Sequence, residues 1–324
     1  MGNPIFDIQT EKDFTAAALK TFYYQSEYNL VYKEYLSHLN IDPSSVCAVK
    51  DIPFLPIQFF KSHQIICGDE LVQQTFLSSG TTGDLQSKHF VTDLTLYEES
   101  YLKGFSQFYG DVGELVVLAL LPSYLEREGS SLVYMVEDLI RKSRQPESGF
   151  YLKNLEDLKD LLLRLEFQQK NVLLIGVSFA LLDLVEKHQF CLKNTVVMET
   201  GGMKGRRKEL IREELHAVLK KGFGVDEIHS EYGMTELLSQ AYSSGHGIFK
   251  TPPWMKILIR DTHDPLSLLP IGKTGGVNVV DLSNINSCSF IATQDLGKLH
   301  LNSSFEILGR FDNSDIRGCN LMLS

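Results

Sequence analysis

The chain has 324 residues, 43% of them hydrophobic and 22% charged, with a formal net charge of −10 and a pI near 5.4. That length fits about two domains, and the acidic balance argues against a general electrostatic grip on nucleic acid or an anionic membrane. The cysteines, Cys47, Cys67, Cys191, Cys288 and Cys319, show no C-x-x-C spacing, which fits a reduced, cytoplasmic protein better than a disulfide scaffold or a zinc site.

The start, MGNPIFDIQT, has no basic region followed by an apolar stretch, so no signal peptide is expected. Phe6 stands where a myristoylation motif needs Ser or Thr, and no apolar run approaches the length of a membrane span. Residues 12–39 read as helix, with Leu19, Phe22, Tyr23, Leu30 and Leu36 near a 3.6-residue spacing. Pro53 and Pro56 make 51–60 an extended connector, because each proline biases its predecessor away from helix. Strand-like runs follow at 116–121, 172–177 and 195–200, separated by helix-like segments at 130–143, 155–168, 178–189 and 206–221. Such alternation, with near-continuous apolar strands, implies an α/β fold around a buried, largely parallel sheet. After about residue 245 prolines and glycines break up short strands: KILIRD, GGVNVVDL, SFIATQDL and KLHLNSSFEILGR. The expected division is an α/β core over 1–245 and a small β-rich subdomain over 246–324.

Residues 75–90, TFLSSGTTGDLQSKHF, concentrate small hydroxyls and glycines behind an apolar run. Gly80 and Gly83 admit positive φ and close approach of a ligand, and successive N–H groups in such a loop form a concave anion site. A surface turn is the alternative. The loop is no Walker A motif. The nearest match to that pattern, SLLPIGKTGG, has Ser267 for the first glycine and Pro270 inside it.

The order Ser-Ser-Gly-Thr-Thr-Gly resembles the phosphate-binding loop of the adenylate-forming superfamily of acyl-CoA synthetases, luciferases and peptide-synthetase adenylation domains. Four further stretches follow in that family's order: ETGGMKGRR (199–207), EYGMTE (231–236), TQDLGKL (293–299) and GRFDNSDIRG (309–318). The wording of SSGTTG…SKH, LPSYLERE, TGGMKGRR and RGCNL is most similar to the LuxE-like acyl-protein synthetase branch. The resemblance runs from about residue 70 to the end. It implies the large domain of an adenylate-forming enzyme, with largely parallel sheets flanked by helices and a smaller β subdomain.

The resemblance also implies the chemistry. A carboxylate attacks the α-phosphate of ATP, giving an acyl-adenylate and pyrophosphate, and a thiol then takes the acyl group. Ser78, Ser79, Thr81 and Thr82 would cradle the phosphates, Gly80 and Gly83 would let the backbone close in, and Lys88 would add charge. Gly201 and Gly202 belong to the turn that contacts adenine, and Tyr232, followed by Gly233, would stack on it. Thr235 would contact the α-phosphate and Glu236 would hold Mg²⁺, which prefers a few carboxylates plus phosphate oxygens and waters. Asp295 would accept the ribose hydroxyls and Arg310 would reach the ribose or the phosphates; a simple ion pair between these two is the alternative. Lys204, Arg206, Arg207 and Lys208 open a predicted helix, where cations oppose the dipole, so they face an anionic partner or solvent. Leu121, Tyr124, Val177 and Phe179 line an acyl slot or belong to the core.

Superfamily members add a mobile C-terminal lid domain that carries a catalytic lysine. This sequence stops at Ser324, shortly after Arg317 and Gly318, so the resemblance implies a chain without that lid. Adenylation then proceeds slowly, uses a lysine already present such as Lys273, needs a partner, or is lost. Cys319 near the end is a candidate acyl acceptor, or a small core residue. His89, His229 and His246 show no nucleophile–base spacing and read as structural. The expectation is ATP- and Mg²⁺-dependent activation of a carboxylic acid, a fatty acid above all, with transfer to a protein or carrier thiol such as that of an acyl reductase. The rivals are a non-catalytic nucleotide-binding scaffold and an acyltransferase that uses preformed thioesters.

Overall fold

The computed structural model describes residues 3–78, 85–121, 129–151, 155–201 and 210–311. In chain order, α1 (Glu11–Tyr28), α2 (Leu30–His38), β1 (Leu55–Pro56), α3 (Phe59–Ser62), β2 (Gln74–Leu77), β3 (Lys88–Val91) and α4 (Leu94–Tyr109) come first. Next are β4 (Val116–Leu120), α5 (Ser131–Ser143), β5 (Gly149–Phe150), α6 (Leu155–Phe167), β6 (Val172–Val177), α7 (Ser178–Lys187), β7 (Thr195–Thr200) and α8 (Arg212–Phe223). The last described elements are β8 (His229–Tyr232), β9 (Ala241–Ser243), β10 (Ile248–Lys250), β11 (Met255–Arg260), β12 (Thr274–Asp281), β13 (Phe290–Leu299) and β14 (Phe305–Arg310).

The expected helix over 12–39 is two helices. Thr10 and Asp13 form a capping box at the start of α1. Asn29 then leaves helical geometry (φ −94°, ψ 103°), and its side chain accepts from the Tyr32 amide at 2.9 Å, so it caps α2. The connector around Pro53 and Pro56 leaves a 3₁₀ turn at Val49–Asp51 with Ile52 extended, forms β1, and gives way to the short α3.

Two compact units emerge. One comprises the described residues within 1–100, 235–239 and 250–324. Its sheet runs β11-β12-β13-β14, antiparallel throughout, with Met255 opposite Asp281, Phe290 opposite Val280 and Asp295 opposite Arg310. β1 adds to β13 in parallel, Leu55 beside Ile291. The N-terminal helices cover this sheet through rings: Phe22 meets Phe290 edge-on with centroids 6.1 Å apart, and Tyr32 stacks on Phe290 at 6.3 Å. Gln25 Nε2 donates to the Asn284 carbonyl at 2.8 Å, and the Ser289 amide donates to Gln25 Oε1 at 2.9 Å, so a fully buried amide is satisfied on both sides. β2 and β3 form a separate antiparallel pair.

The other unit comprises the described residues within 101–234 and 240–249. Its sheet has β5, β4, β6, β7 and β8 in that order and all parallel, then β9 antiparallel to β8, then β10. Every residue of β4 and β6 is buried, as the unbroken apolar runs predict for strands with both faces covered. The helices α5 to α8 supply the crossovers that parallel strands require. This is the expected α/β architecture.

Candidate active site

The first group of side chains lies in the unit that holds β3 and the β11–β14 sheet. β2 and β3 approach in register, with Leu77 opposite Lys88, and the pairing continues into the residues beyond. The Ser78 amide donates to the Ser87 carbonyl at 3.0 Å and the Ser87 amide donates to Ser78 Oγ at 2.8 Å. Ser78 therefore closes the stem of the Gly/Ser/Thr loop. Ser79, Gly80, Thr81, Thr82 and Gly83 lie outside the described residues. Lys88 is exposed, while Ser87 and His89 on either side of it are buried, the alternation of an extended chain.

Thr235 and Glu236 sit in the turn after β8. Glu236 is 5% exposed. Burial pushes its carboxyl above the ordinary range, opposed by a hydrogen bond from Ser87 and the charge of Arg310, and reinforced by Asp295. His89 Nδ1 lies 2.8 Å from the Thr235 carbonyl, and Asn284 Nδ2 donates to the Glu236 carbonyl at 2.8 Å. Burial lowers the His89 pKa from 6.5 to about 4, so the ring is neutral and Nδ1 is the donor. Beyond Glu236, the buried Asp281 accepts from the Leu238 and Ser239 amides, both at 2.9 Å, from Ser239 Oγ at 2.6 Å and from the Ser283 amide at 3.1 Å. Trp254 Nε1 reaches Ser239 Oγ at 3.1 Å. The turn is thus held by backbone bonds to buried side chains from β3 and from the end of β12.

Asp295 and Arg310 face each other across β13 and β14, with Arg310 Nε 3.4 Å from Asp295 Oδ1. The ion pair is present. It leaves Arg310 largely in water, 72% exposed, while Asp295 is 10% exposed, so its Coulomb term is weak. Glu236, Asp295 and Arg310 thus belong to one electrostatic group.

The second group lies in the parallel-sheet unit, at the carboxyl ends of β6, β7 and β8, the edge where open α/β sheets bind ligands. Gly201 has φ +69°, and its carbonyl accepts from Ser178 Oγ at 2.8 Å. Tyr232 is buried, its ring edge-on to Phe249 with centroids 6.0 Å apart. A Cβ at Gly233 would lie 2.3 Å from Glu231 Oε1, so that carboxylate packs against the bare backbone there. Thr200 Oγ1 donates to Glu231 at 2.6 Å; burial, helped by the Glu199 charge, raises the Glu231 pKa to about 7. Glu199 accepts from Ser178 Oγ at 3.3 Å and has Arg212 and His216 nearby, at 3.8 and 3.6 Å. Leu121, Val177 and Phe179 are buried. Gly202, Tyr124, the basic run 204–208 and Cys319 lie outside the described residues.

Sequence reasoning missed Ser87, His89, Asn284 and Asp281 around the Thr235–Glu236 turn, and the Glu199–Glu231 pair. The acids had a signal, since each stands near the carboxyl end of a strand-like run. The others had none, because their partners are far away in the chain.

Among the described residues no three His, Cys, Asp or Glu side chains come together as a metal cage. A single buried carboxylate still suits Mg²⁺, which keeps most of its shell as water and phosphate oxygens and takes one or two carboxylates from the protein. The donor chemistry at Glu236 therefore fits a metal that arrives with a nucleotide.

The family model for acyl-protein synthetase, LuxE, matches residues 142–324, more than half of the chain. The chain belongs to the LuxE family. A relative of this LuxE chain, the long-chain-fatty-acid–luciferin-component ligase of Vibrio harveyi, is 24% identical over 358 residues, spanning 100% of this chain and 91% of the relative. The fold matches an open conformation of 2-hydroxyisobutyryl-CoA ligase in complex with 2-HIB-AMP and CoA, with a TM-score of 0.67, 11% identity and coverage of 94% and 70%. It also matches ATP-bound MatB from Rhodopseudomonas palustris, with a TM-score of 0.58, 16% identity and coverage of 75% and 49%. The LuxE chain spans about half the length of that MatB structure. These likenesses establish the fold of adenylate-forming enzymes. No helix among the described residues is long and apolar enough to cross a membrane.

Proposed function

We propose that the chain activates a carboxylic acid with ATP and passes the acyl group to a thiol. The observation that carries this reading is Glu236: a buried carboxylate, held by Ser87 in one electrostatic group with Asp295 and Arg310, at the end of the Tyr-Gly-x-Thr-Glu stretch. In the first step a substrate carboxylate oxygen attacks the α-phosphate of ATP; the acyl-adenylate forms and pyrophosphate leaves. In the second a thiolate attacks the acyl carbon; a thioester forms, AMP leaves, and the thiol proton passes to solvent.

Each residue has a task in this proposal. The N–H groups and hydroxyls of 78–83 cradle phosphate oxygens, with Lys88 as a neighbouring charge. Glu236 holds Mg²⁺ and Thr235 contacts the α-phosphate. Bound Mg²⁺ would neutralise charge on the phosphates. Asp295 accepts the ribose hydroxyls, and Arg310, exposed, turns to the nucleotide. Tyr232 and the Gly201–Gly202 turn bound the adenine. The low exposure of Glu236 and Asp295 supports a site that keeps water from the mixed anhydride. The Vibrio harveyi relative's name, a long-chain-fatty-acid–luciferin-component ligase, supports a fatty acid as substrate, and the acyl-protein synthetase family supports a protein acceptor, for which an acyl reductase or a carrier is the proposed identity. A cytoplasmic location belongs to the same proposal.

The transfer step has a direct test. Incubation with ATP, Mg²⁺ and labelled hexadecanoic acid is expected to leave a hydroxylamine-sensitive adduct on the protein. The adduct should vanish in Cys319→Ser and persist when Cys47, Cys67, Cys191 or Cys288 is changed. Cys67 and Cys288 are poor rivals, since burial pushes both thiols well above the ordinary range and the thiolate is the nucleophile. A label on another cysteine would contradict the role of Cys319. A label that appears from a preformed thioester without ATP would favour an acyltransferase.

A further inference from the structure

Ser87 and His89 stand on one face of the extended chain that leaves the loop stem, with Lys88 between them exposed on the other. Ser87 hydrogen-bonds the Glu236 carboxylate, and His89 Nδ1 lies 2.8 Å from the carbonyl of the preceding residue, Thr235. A carbonyl only accepts, so Nδ1 carries the ring hydrogen and Nε2 carries a lone pair. Nε2 is buried and meets no partner among the described residues. The ring is therefore oriented by one hydrogen bond and by packing, with Phe60 edge-on at 5.7 Å between centroids. From the opposite side Asn284 holds the Glu236 carbonyl. Two side chains at alternate positions thus grip two consecutive residues nearly 150 positions later in the chain.

We propose that Ser87 and His89 are positioning residues that set the Glu236 carboxylate for a nucleotide-borne Mg²⁺. The inference rests on reading Glu236 as the metal ligand. Its physical basis is that ligating carboxylates are themselves hydrogen-bonded, and losing such an outer partner costs about 10–100-fold in metal affinity or activity. Ser87 fixes the rotation of the carboxylate, and His89 fixes the backbone from which that side chain hangs. Because Ser87 also exchanges hydrogen bonds with Ser78, the clamp ties the turn to the stem of the Ser78–Ser87 loop.

The test is calorimetric titration of ATP into the full chain, with and without Mg²⁺, for wild type, Glu236→Gln, Ser87→Ala, His89→Asn and His89→Leu, with thermal melts of each. Mg²⁺ is expected to tighten ATP binding to wild type, and Glu236→Gln is expected to lose that gain. Ser87→Ala and His89→Leu should lose about ten-fold or more of it while still binding metal-free ATP as wild type does. His89→Asn should keep most of the gain, because its amide NH₂ can donate from near the position of Nδ1. A Glu236→Gln variant with the full gain would overturn the metal reading and the clamp with it. A Glu236→Gln variant without the gain, beside folded Ser87→Ala and His89→Leu variants that keep it, would overturn the clamp alone. An Asn variant as impaired as the Leu variant would also overturn it, by showing that the hydrogen bond to Thr235 is not what matters. Should His89→Leu fail to fold, Ser87→Ala, which removes a single hydroxyl, decides the question.

Discussion

Glu231 carries a pH dependence of its own. Its pKa stands at about 7 against an ordinary 4.5, because burial disfavours the carboxylate. Between those values the folded state binds a proton that the unfolded state has released, so this group's contribution to stability falls as pH rises from about 4.5 to about 7. Glutamine keeps an acceptor for Thr200 Oγ1 and cannot ionise. Glu231→Gln is therefore expected to melt with wild type near pH 5 and above it at pH 8, as thermal unfolding at the two pH values will show. An equal difference at both would contradict the burial argument. How much of the site was legible divides at this scale. Thr235, Glu236, Asp295 and Arg310 stand out in the sequence as candidates because a short local order marks each of them. Ser87 and His89 were not, because a buried serine or histidine takes its meaning from a partner about 150 residues away, and no local pattern encodes that partner.

At the scale of elements, local physics carried the reading far. The strands β6 and β7 match their expected runs end to end, and β6, buried at every position, is apolar throughout as a strand covered on both faces requires. The expected helix over 12–39 lacked its break, because Asn29 departs from helix for two reasons that periodicity does not register: it caps Tyr32, and its amide donates to the Ser287 carbonyl at 2.8 Å. The turn that carries Glu236 depends in the same way on Asp281 at the end of β12. That carboxylate takes two consecutive amides, Leu238 and Ser239, on one oxygen and the Ser239 hydroxyl on the other. In Asp281→Asn one side must present an NH₂ to donors, leaving buried donors unmet at about 1–3 kcal/mol each. The variant is expected to lose at least about 2 kcal/mol in urea unfolding. A change within the ±0.5 kcal/mol usual for surface substitutions would show that the network does not hold the turn.

Over the whole molecule, the unit that carries Glu236, Asp295 and Arg310 is assembled from described residues within 1–100, the short stretch 235–239 and 250–324. Phe22 and Tyr32 reach Phe290, and β1 pairs with β13, joins of high sequence separation that hydrophobic periodicity cannot report. What the sequence did carry to this scale is the order of its motifs, and that order agrees with the LuxE family match over 142–324. The central claim is that this fold still makes an acyl-adenylate. Exchange of labelled pyrophosphate into ATP measures that step alone, since it needs the adenylate to form and reverse and needs no thiol. With Mg²⁺ and a panel of medium- to long-chain fatty acids, the account predicts exchange that appears only when acid is added and that Glu236→Gln sharply reduces. ATP binding without exchange for any acid in the panel would contradict the account and leave a nucleotide-binding scaffold in its place.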